Sequence, residues 1–405
     1  MKRHFHIYAG GLLLAAVAAL PALAQGVPVE TRPPNAVDQV PQSADQTRAP
    51  QPASLAQVSR AAVATGLPQL WALEFLPDGR MLVTVKAGGM LIVNPDGTAG
   101  PEITGVPEVY VSGQGGLLDV ALAPDFATSN RIFFSFSELR EGGNGTSVAS
   151  ARLVLDDNGG RLDEVAVIFR QTPTYGGRSH FGSRLVFGQA GELFVTVGER
   201  SNAAVRVQAQ DLSSGLGKVF RIDQSGAALP DNPFVSEDGA LPEIWSLGHR
   251  NMQSAALDGE GRLWTVEHGP RGGDELNRPE AGLNYGWPEV TYGIDYGGAP
   301  IGEGITASAE TQQPVYYWDP VIAPSGMSYY DGNEFPEWQG AFLIGGLVAE
   351  AVVVLHLDND RVAFEERVPI GARVRDVKVG PDSAVYVVTE NGSGSSEILR
   401  LTNAN

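Results

Sequence analysis

From about Leu55 onward, short apolar runs alternate with polar, glycine-rich turns. A turn that leads into an apolar run occurs six times. The copies are Pro77-Asp-Gly-Arg-Met-Leu-Val-Thr-Val, Pro124-Asp-Phe-Ala-Thr-Ser-Asn-Arg-Ile-Phe-Phe-Ser-Phe, Gly188-Gln-Ala-Gly-Glu-Leu-Phe-Val-Thr-Val, Asp258-Gly-Glu-Gly-Arg-Leu-Trp-Thr-Val, Pro336-Glu-Trp-Gln-Gly-Ala-Phe-Leu-Ile-Gly and Pro381-Asp-Ser-Ala-Val-Tyr-Val-Val-Thr. Their starts lie roughly 45 to 80 residues apart, with further strand-like runs between them near 152–155, 219–222 and 352–357. About four strands per unit at this period is the signature of a propeller blade. The pattern therefore predicts an all-β chain, a six-bladed β-propeller with four-stranded antiparallel blades. A β-sandwich would leave the six similar units unexplained, and no long amphipathic helix is predicted. Longer intervals around 140–150, 170–180, 200–216 and 286–325 read as insertions grouped on one face, where a cofactor and substrate would be held.

The first 55 residues have a different texture. Residues 1–24 combine Lys2 and Arg3, an apolar stretch from Ala9 to Leu20 and a small-x-small site at Ala22-Leu-Ala24, which predicts a signal peptide cleaved before Gln25. The apolar stretch is too short to span a bilayer, so export to a periplasmic or secreted location is expected, without stable membrane insertion. Residues 25–55 are rich in Pro, Gln, Ser and Thr and read as a flexible linker, with the propeller over 56–405. The formal charge is −19, and loss of the leader, which holds Lys2 and Arg3 but no acid, brings it to −21. This argues against nucleic acid as a partner. With no cysteine, thiolate chemistry and disulfides are excluded.

Candidate chemistry is densest between Pro242 and Pro288. Two apolar strands there run into the clusters Gly248-His249-Arg250-Asn251 and His268-Gly269-Pro270-Arg271-Gly272-Gly273-Asp274-Glu275. Arg250 can grip carboxylates through two parallel hydrogen bonds. The Gly269-Pro270 turn exposes backbone oxygens beside two acids, a mixture of hard donors that suits calcium. His180 precedes a blade strand, and Glu199 ends the next one, so one hairpin brings the carboxylate back toward the imidazole. Such a pair serves either as a general base with its orienting acid or as a structural hydrogen bond. The Gln114 amide either contacts a substrate or stabilises its turn. Arg373 and Arg375 alternate along a strand and share a face. With Arg250 they suit a small polyanion, or they are simply salt-bridged. His356, in a late apolar strand, reads as structural. Asp358-Asn-Asp360 lacks the glycine and terminal glutamate of a calcium-binding loop of the EF-hand kind.

Five segments in order, Gly-Gln114-Gly-Gly-Leu-Leu, His180-Phe-Gly-Ser-Arg-Leu-Val-Phe-Gly, Leu-Gly-His-Arg250-Asn251, Glu-His-Gly269-Pro270-Arg-Gly-Gly-Asp-Glu275 and Asn-Tyr285-Gly-Trp-Pro, resemble the soluble quinoprotein aldose sugar dehydrogenases. The resemblance covers about residues 60–402. It implies a six-bladed propeller that oxidises aldoses to lactones with pyrroloquinoline quinone and Ca2+, and passes electrons to an external acceptor. It implies His180 as the base, supported by Glu199, with Gln114 on the substrate or reacting carbonyl. Arg250 and Asn251 would hold the quinone oxygens, and Arg373 and Arg375 its carboxylates. Gly269 and Pro270 would offer carbonyls to a calcium beside the cofactor. Glu275 and the Tyr285 carbonyl match a second, structural calcium site, and Trp318 falls where the family lines its substrate pocket. Two positions depart from the pattern: Val348 stands where relatives often carry a lysine, and Ser179 precedes the base. The short loops after Gly143 and Glu199 suggest an open pocket. A monomer or weak dimer is expected. A calcium-dependent propeller hydrolase such as a lactonase, and a non-catalytic sugar-binding propeller, are the competing readings.

Overall fold

The computed structural model describes residues 26–156 and 159–404, so the leader expected at 1–24 lies outside the described residues. Within them, six four-stranded antiparallel sheets follow one another around a ring. Blade 1 is β2 (Leu70–Phe75), β3 (Met81–Val85), β4 (Gly89–Val93) and β5 (Ala99–Glu102), and blade 2 is β6 (Leu117–Leu122), β7 (Arg131–Arg140), β8 (Gly143–Asp156) and β9 (Gly159–Arg170). Blade 3 is β10 (Leu185–Phe187), β11 (Leu193–Val197), β12 (Lys218–Ile222) and β13 (Ile244–Leu247), and blade 4 is β14 (Met252–Leu257), β15 (Leu263–Glu267), β16 (Asp274–Asn277) and β17 (Tyr316–Trp318). Blade 5 is β18 (Pro324–Tyr329), β19 (Phe342–Gly346), β20 (Ala351–Asp358) and β21 (Arg361–Pro369). Blade 6 takes β22 (Arg373–Val379), β23 (Val385–Glu390) and β24 (Ser395–Asn403) from the end of the chain and β1 (Val58–Pro68) from its start. The β1–β24 pairing, from Val58 opposite Asn403 to Pro68 opposite Ser395, joins the two ends of the chain within one blade and so closes the ring.

All six repeats of the sequence fall at the same place, the hairpin into the second strand of a blade. In blade 1 the Asp78 carboxylate accepts from the Arg80 amide at 3.1 Å while Gly79 takes a φ of +85°. In blade 4 Asp258 accepts from the Glu260 and Arg262 amides at 2.9 Å each, with Gly261 at +81°. A short acidic side chain that satisfies its own turn, followed by a residue for which positive φ carries little strain, makes the hairpin local. The strand that follows is apolar on both faces because neighbouring blades cover both. β3, β11, β15 and β19 are buried at every residue.

Blades are also joined by hydroxyls near the axis. Thr84 donates to the Leu118 carbonyl at 2.6 Å, Ser135 to Ser183 at 2.7 Å, Thr196 to Met252 at 3.1 Å, Ser254 to Ser325 at 2.5 Å and Ser325 to Val374 at 2.6 Å. Each bond ties one blade to the next one in sequence. At the centre, the buried Arg184 guanidinium lies 2.9 Å from Asp119 of blade 2 and 3.0 Å from Asp376 of blade 6, donates to the Gln253 carbonyl of blade 4 at 2.8 Å, and stacks 4.4 Å from the Trp71 ring of blade 1. The two acids also accept the backbone amides of Leu185 and Leu73, at 2.8 and 2.9 Å.

Two expectations are corrected. Residues 26–55 are not a loose linker. They form a strap across the outer strands of blades 4 and 5, in which Asp319 accepts from the Asn35 and Ala36 amides at 2.8 and 2.9 Å, the Tyr316 hydroxyl oxygen accepts from the Ala49 amide at 2.8 Å, and Glu30 pairs with Arg367 at 3.0 Å. Composition misses this because the strap is held by polar bonds to the blades rather than by its own apolar residues. The interval 140–150 is also no insertion, since it is the β7–β8 hairpin carried beyond the sheet.

Replacing Arg184 with Met leaves two buried carboxylates facing each other without their guanidinium. Urea unfolding followed by tryptophan fluorescence is expected to show a loss of about 3–5 kcal/mol. An unchanged midpoint would mean that the axial cluster does not hold the ring.

Candidate active site

In every blade the first strand runs outward from one face and the second returns to it. The residues just before each innermost strand and just after each second strand therefore meet at one mouth. Gln114 precedes β6, His180 precedes β10, Arg250 and Asn251 precede β14, and Arg373 and Arg375 open β22. Glu199 follows β11, and His268, Gly269 and Pro270 follow β15. Register shifts interrupt five of the innermost strands near this end, in β2, β6, β14, β18 and β22. Such bulges re-aim side chains that simple alternation would place elsewhere.

His180 is 5% exposed and sits at a left-handed φ of +53°. Its Nδ1 lies 2.6 Å from Glu199 Oε1. Its backbone amide donates to the Gln114 side-chain oxygen at 2.7 Å, so Gln114 fixes the base through the main chain while its own amide nitrogen stays at the exposed mouth. Two glycines let the segments approach: a Cβ on Gly182 would stand 2.8 Å from the Thr196 oxygen, and one on Gly198 would stand 2.4 Å from the His180 oxygen. Burial, then the Arg250 charge, drives the His180 pKa down to about 4, against the opposing pull of Glu199. The ring is thus neutral near pH 7. With Nδ1–H held by the carboxylate, the Nε2 lone pair is the one available to a substrate.

Arg200, adjacent to Glu199, went unnoticed in the sequence. It is 1% exposed, and it donates to the Ser179 carbonyl at 3.0 Å, to the Asn144 carbonyl and side chain at 3.1 and 2.7 Å, and to the Gly177 carbonyl at 2.8 Å, with its guanidinium 4.0 Å over the Phe181 ring. It braces the loop that carries His180 in its strained conformation. Its own positive φ of 74° left no sign in the residue pattern.

On the blade 4 side, Arg250 Nη1 donates to the carbonyls of His268 and Gly269 at 2.8 and 2.7 Å, and its guanidinium stacks 5.1 Å from Trp287. Asn251 accepts from the Gly182 amide at 3.0 Å, which links this cluster to the His180 loop. Glu267 is hydrogen-bonded to His249 at 3.0 Å and to the Arg250 amide. Asp274 anchors the Gly269–Gly273 turn by accepting from Gly269 at 2.8 Å, and it ties the turn to blade 5 through Ile322 and Ala323 at 2.8 and 2.7 Å. Burial pushes the Asp274 pKa up to about 7 even so. Arg373 and Arg375 both grip Glu390, at 2.9 and 3.0 Å, and Arg375 also reaches Gln253 at 3.1 Å. Burial, and then the neighbouring His180, Arg250 and Arg375, hold the His268 pKa well below the usual imidazole value.

The remaining expected residues fall into two groups. Glu275 lies beside Glu267, both near Asn277, and its pKa is pushed well up by burial and then by the Glu267 charge. Tyr285 borders the same cluster with its ring stacked on His249 at 4.7 Å. Trp318 is a correction. It is 2% exposed, its Nε1 donates to Glu365 at 3.1 Å, and it packs between blades 4 and 5 as part of the outermost strand of blade 4. It does not line the mouth. A depression of about 880 Å³ lies at the other end of the axis among Glu74, Phe187, Asp258, Tyr329 and Lys378, away from all these residues.

The donors at the mouth suit a planar, multiply charged anion with carbonyl oxygens. Buried Arg250 Nε, His268 Nε2 and Glu199 Oε2 have no hydrogen-bond partner, and the arginines supply cations around them. Groups of this kind cost free energy when left unpaired, so a bound ligand that meets them is favoured.

Residues 67–400 match the family described as Glucose / Sorbosone dehydrogenase. The chain is 44% identical over 341 residues to the aldose sugar dehydrogenase YliI of Escherichia coli K12, covering 83% of this chain and 90% of that protein. It resembles the crystal structure of the soluble aldose sugar dehydrogenase of Escherichia coli in its apo-form, with a TM-score of 0.81, 42% identity and coverage of 86% of this chain and 100% of that one. The PQQ-bound form of the aldose sugar dehydrogenase of Streptomyces coelicolor aligns with a TM-score of 0.70 and 30% identity, over 86% of this chain and 99% of that one.

Histidine NMR of the cofactor-free protein is expected to find His180 neutral until the pH falls to about 4. Because that value lies below the 6.5 of a free imidazole, the unfolded chain binds the proton first, so the contribution to stability is present above pH 6.5 and is lost as pH falls toward 4. Arg250→Met is expected to raise the midpoint and Glu199→Gln to lower it. Shifts of the opposite sign would show that these two charges do not set the state of the ring.

Proposed function

This chain belongs to the glucose/sorbosone dehydrogenase family and is a sugar-oxidising dehydrogenase, and we propose that it converts aldoses to lactones with pyrroloquinoline quinone as acceptor, calcium as Lewis acid and His180 as general base. The observation that carries this reading is the neutral His180, held at Nδ1 by Glu199 at 2.6 Å, in a mouth with an unpartnered Arg250 Nε donor and an unpartnered His268 ring nitrogen.

The sugar's anomeric hydroxyl gives its proton to His180 Nε2, the C1–H bond breaks with its electron pair, and the C1–O bond becomes the lactone carbonyl. Pyrroloquinoline quinone, when bound, accepts that hydride. Glu199 orients the ring and stabilises the imidazolium as it forms. Arg250 and Asn251 would hold the acceptor's carbonyl oxygens, Gln114 stands at the mouth beside the base, and Arg373 and Arg375, which pair with Glu390, would hold carboxylates. The carbonyl oxygens of Gly269 and Pro270, on a turn fixed by Asp274, would hold a calcium ion that supplies Lewis acidity at the mouth. A second cation at Glu275 and the Tyr285 carbonyl would relieve the Glu267–Glu275 repulsion. Export through the leader at 1–24 and discharge of electrons to an external acceptor belong to the same reading.

A hydrolase with a carboxylate-rich metal centre is disfavoured, because it has no use for Arg250, Arg373 and Arg375 gathered at the mouth. The His180–Glu199 pair in turn favours an enzyme over a passive sugar binder.

The test is reconstitution of the purified protein with pyrroloquinoline quinone, with and without Ca2+, followed by an aldose and a dye acceptor. Saturable, calcium-dependent dye reduction is expected, and His180→Ala should lower kcat by about 10²- to 10⁴-fold. Full activity in that variant would refute the assignment of the base.

A further inference from the structure

Lys86 is a cation at the mouth that the sequence pattern did not single out. Lys86 follows β3 directly, as His268 follows β15, so it arrives at the mouth by the same route from blade 1. Its amide donates to the Gln69 carbonyl at 2.9 Å, and the Gln69 side chain reaches Glu390 at 3.5 Å. Its ammonium donates to the Gly113 carbonyl at 2.6 Å, next to Gln114, whose side chain holds the His180 amide. Lys86 thus bridges the space between the Arg373–Arg375–Glu390 cluster of blade 6 and the Gln114–His180 loops of blades 2 and 3.

The charges around it do not balance. Arg373, Arg375 and Lys86 share one nearby carboxylate, Glu390, which both arginines already occupy. Lys86 is half-buried, and its pKa is lowered first by burial and next by the Arg375 charge, which Glu390 only partly offsets. A protein of net charge −19 that gathers uncompensated cations at one point has a site for an anion there. The Gly113 carbonyl uses one of the three ammonium donors, which leaves two for a ligand.

We propose that Lys86 is a binding residue for the anionic acceptor, placing its ammonium on a carboxylate between the arginine pair and the Gln114 loop. This rests on the reading that the mouth takes pyrroloquinoline quinone. It places the negative end of the acceptor toward blades 6 and 1, and so turns its other end toward Arg250 and His180. It also supplies, from blade 1, positive charge at a mouth where blade 5 presents the exposed, uncharged Val348.

The experiment is titration of the full-length, cofactor-free protein with pyrroloquinoline quinone, read by calorimetry and by quenching of tryptophan fluorescence, for the native chain and for Lys86→Gln and Lys86→Arg. Gln retains a donor for the Gly113 carbonyl, which separates loss of charge from loss of the loop contact. Lys86→Gln is expected to bind about 10- to 100-fold more weakly, with a shallower salt dependence, while Lys86→Arg stays near the native Kd. Equal melting temperatures of the three unliganded proteins exclude a folding defect. Native affinity and salt dependence in Lys86→Gln would overturn the assignment of Lys86 alone. Failure of the native chain to bind the quinone would instead sink the proposed function, and this inference with it.

Discussion

A propeller must bring six sheets to one axis, and in this chain the convergence depends on one buried guanidinium. Arg184 precedes the innermost strand of blade 3, yet it touches groups from blades 1, 2, 4 and 6. Its two carboxylate partners accept backbone amides from neighbouring blades as well. Charges so buried are costly unless paired and fully hydrogen-bonded. What they give here is directional: apolar strands can slide past one another, whereas an arginine shared by Asp119 and Asp376 fixes where the blades meet. The hydroxyl bonds from Thr84 round to Ser325 carry the same registration along consecutive blades.

The site lies only four residues before Arg184 in the chain, so the rigidity of the axis passes to it directly. His180 is held through its main chain by Gln114, through its ring by Glu199 and through its loop by Arg200. It stands in a left-handed conformation that these contacts impose. The cations nearby have two effects. The Arg250 charge helps keep the imidazole unprotonated and hence able to accept a proton. Together with the blade 6 arginines it leaves the mouth positive in an acidic protein, which favours an anionic acceptor over the many neutral molecules of similar shape.

Much of this could be read from residue order. The six turn-and-strand copies mark the second strands because turn chemistry is local and those strands are buried on both faces. The approach of Glu199 to His180 followed from a single hairpin. Other features depend on contacts that sequence spacing does not encode. Arg375 is the extra residue of a register shift between Val374 and Asp376, so the convergence of Arg373 and Arg375 on Glu390 reflects a bulge as much as alternation. The strap over 26–55 has the composition of a linker, and its polar bonds to the blades, among them those of Asp319, Tyr316 and Arg367, hold it in place. Trp318 looked like a pocket aromatic by its neighbours in sequence, but its strand is the outermost of its blade. Arg200 and Lys86 carried no motif, and each is defined by the carbonyls it meets.

The central claim is that a neutral His180, oriented by Glu199, removes the proton from the anomeric hydroxyl as hydride leaves the same carbon. The most direct measurement is single-turnover oxidation of an aldose deuterated at C1 by the quinone-loaded protein, across pH, in the native chain and in Glu199→Gln. The account predicts a primary isotope effect on the step that consumes sugar, and a rate that falls toward acid as one group is protonated, with that fall moved to lower pH in Glu199→Gln. A rate indifferent to C1 deuteration, or an acid limb unmoved by loss of the Glu199 charge, would contradict it.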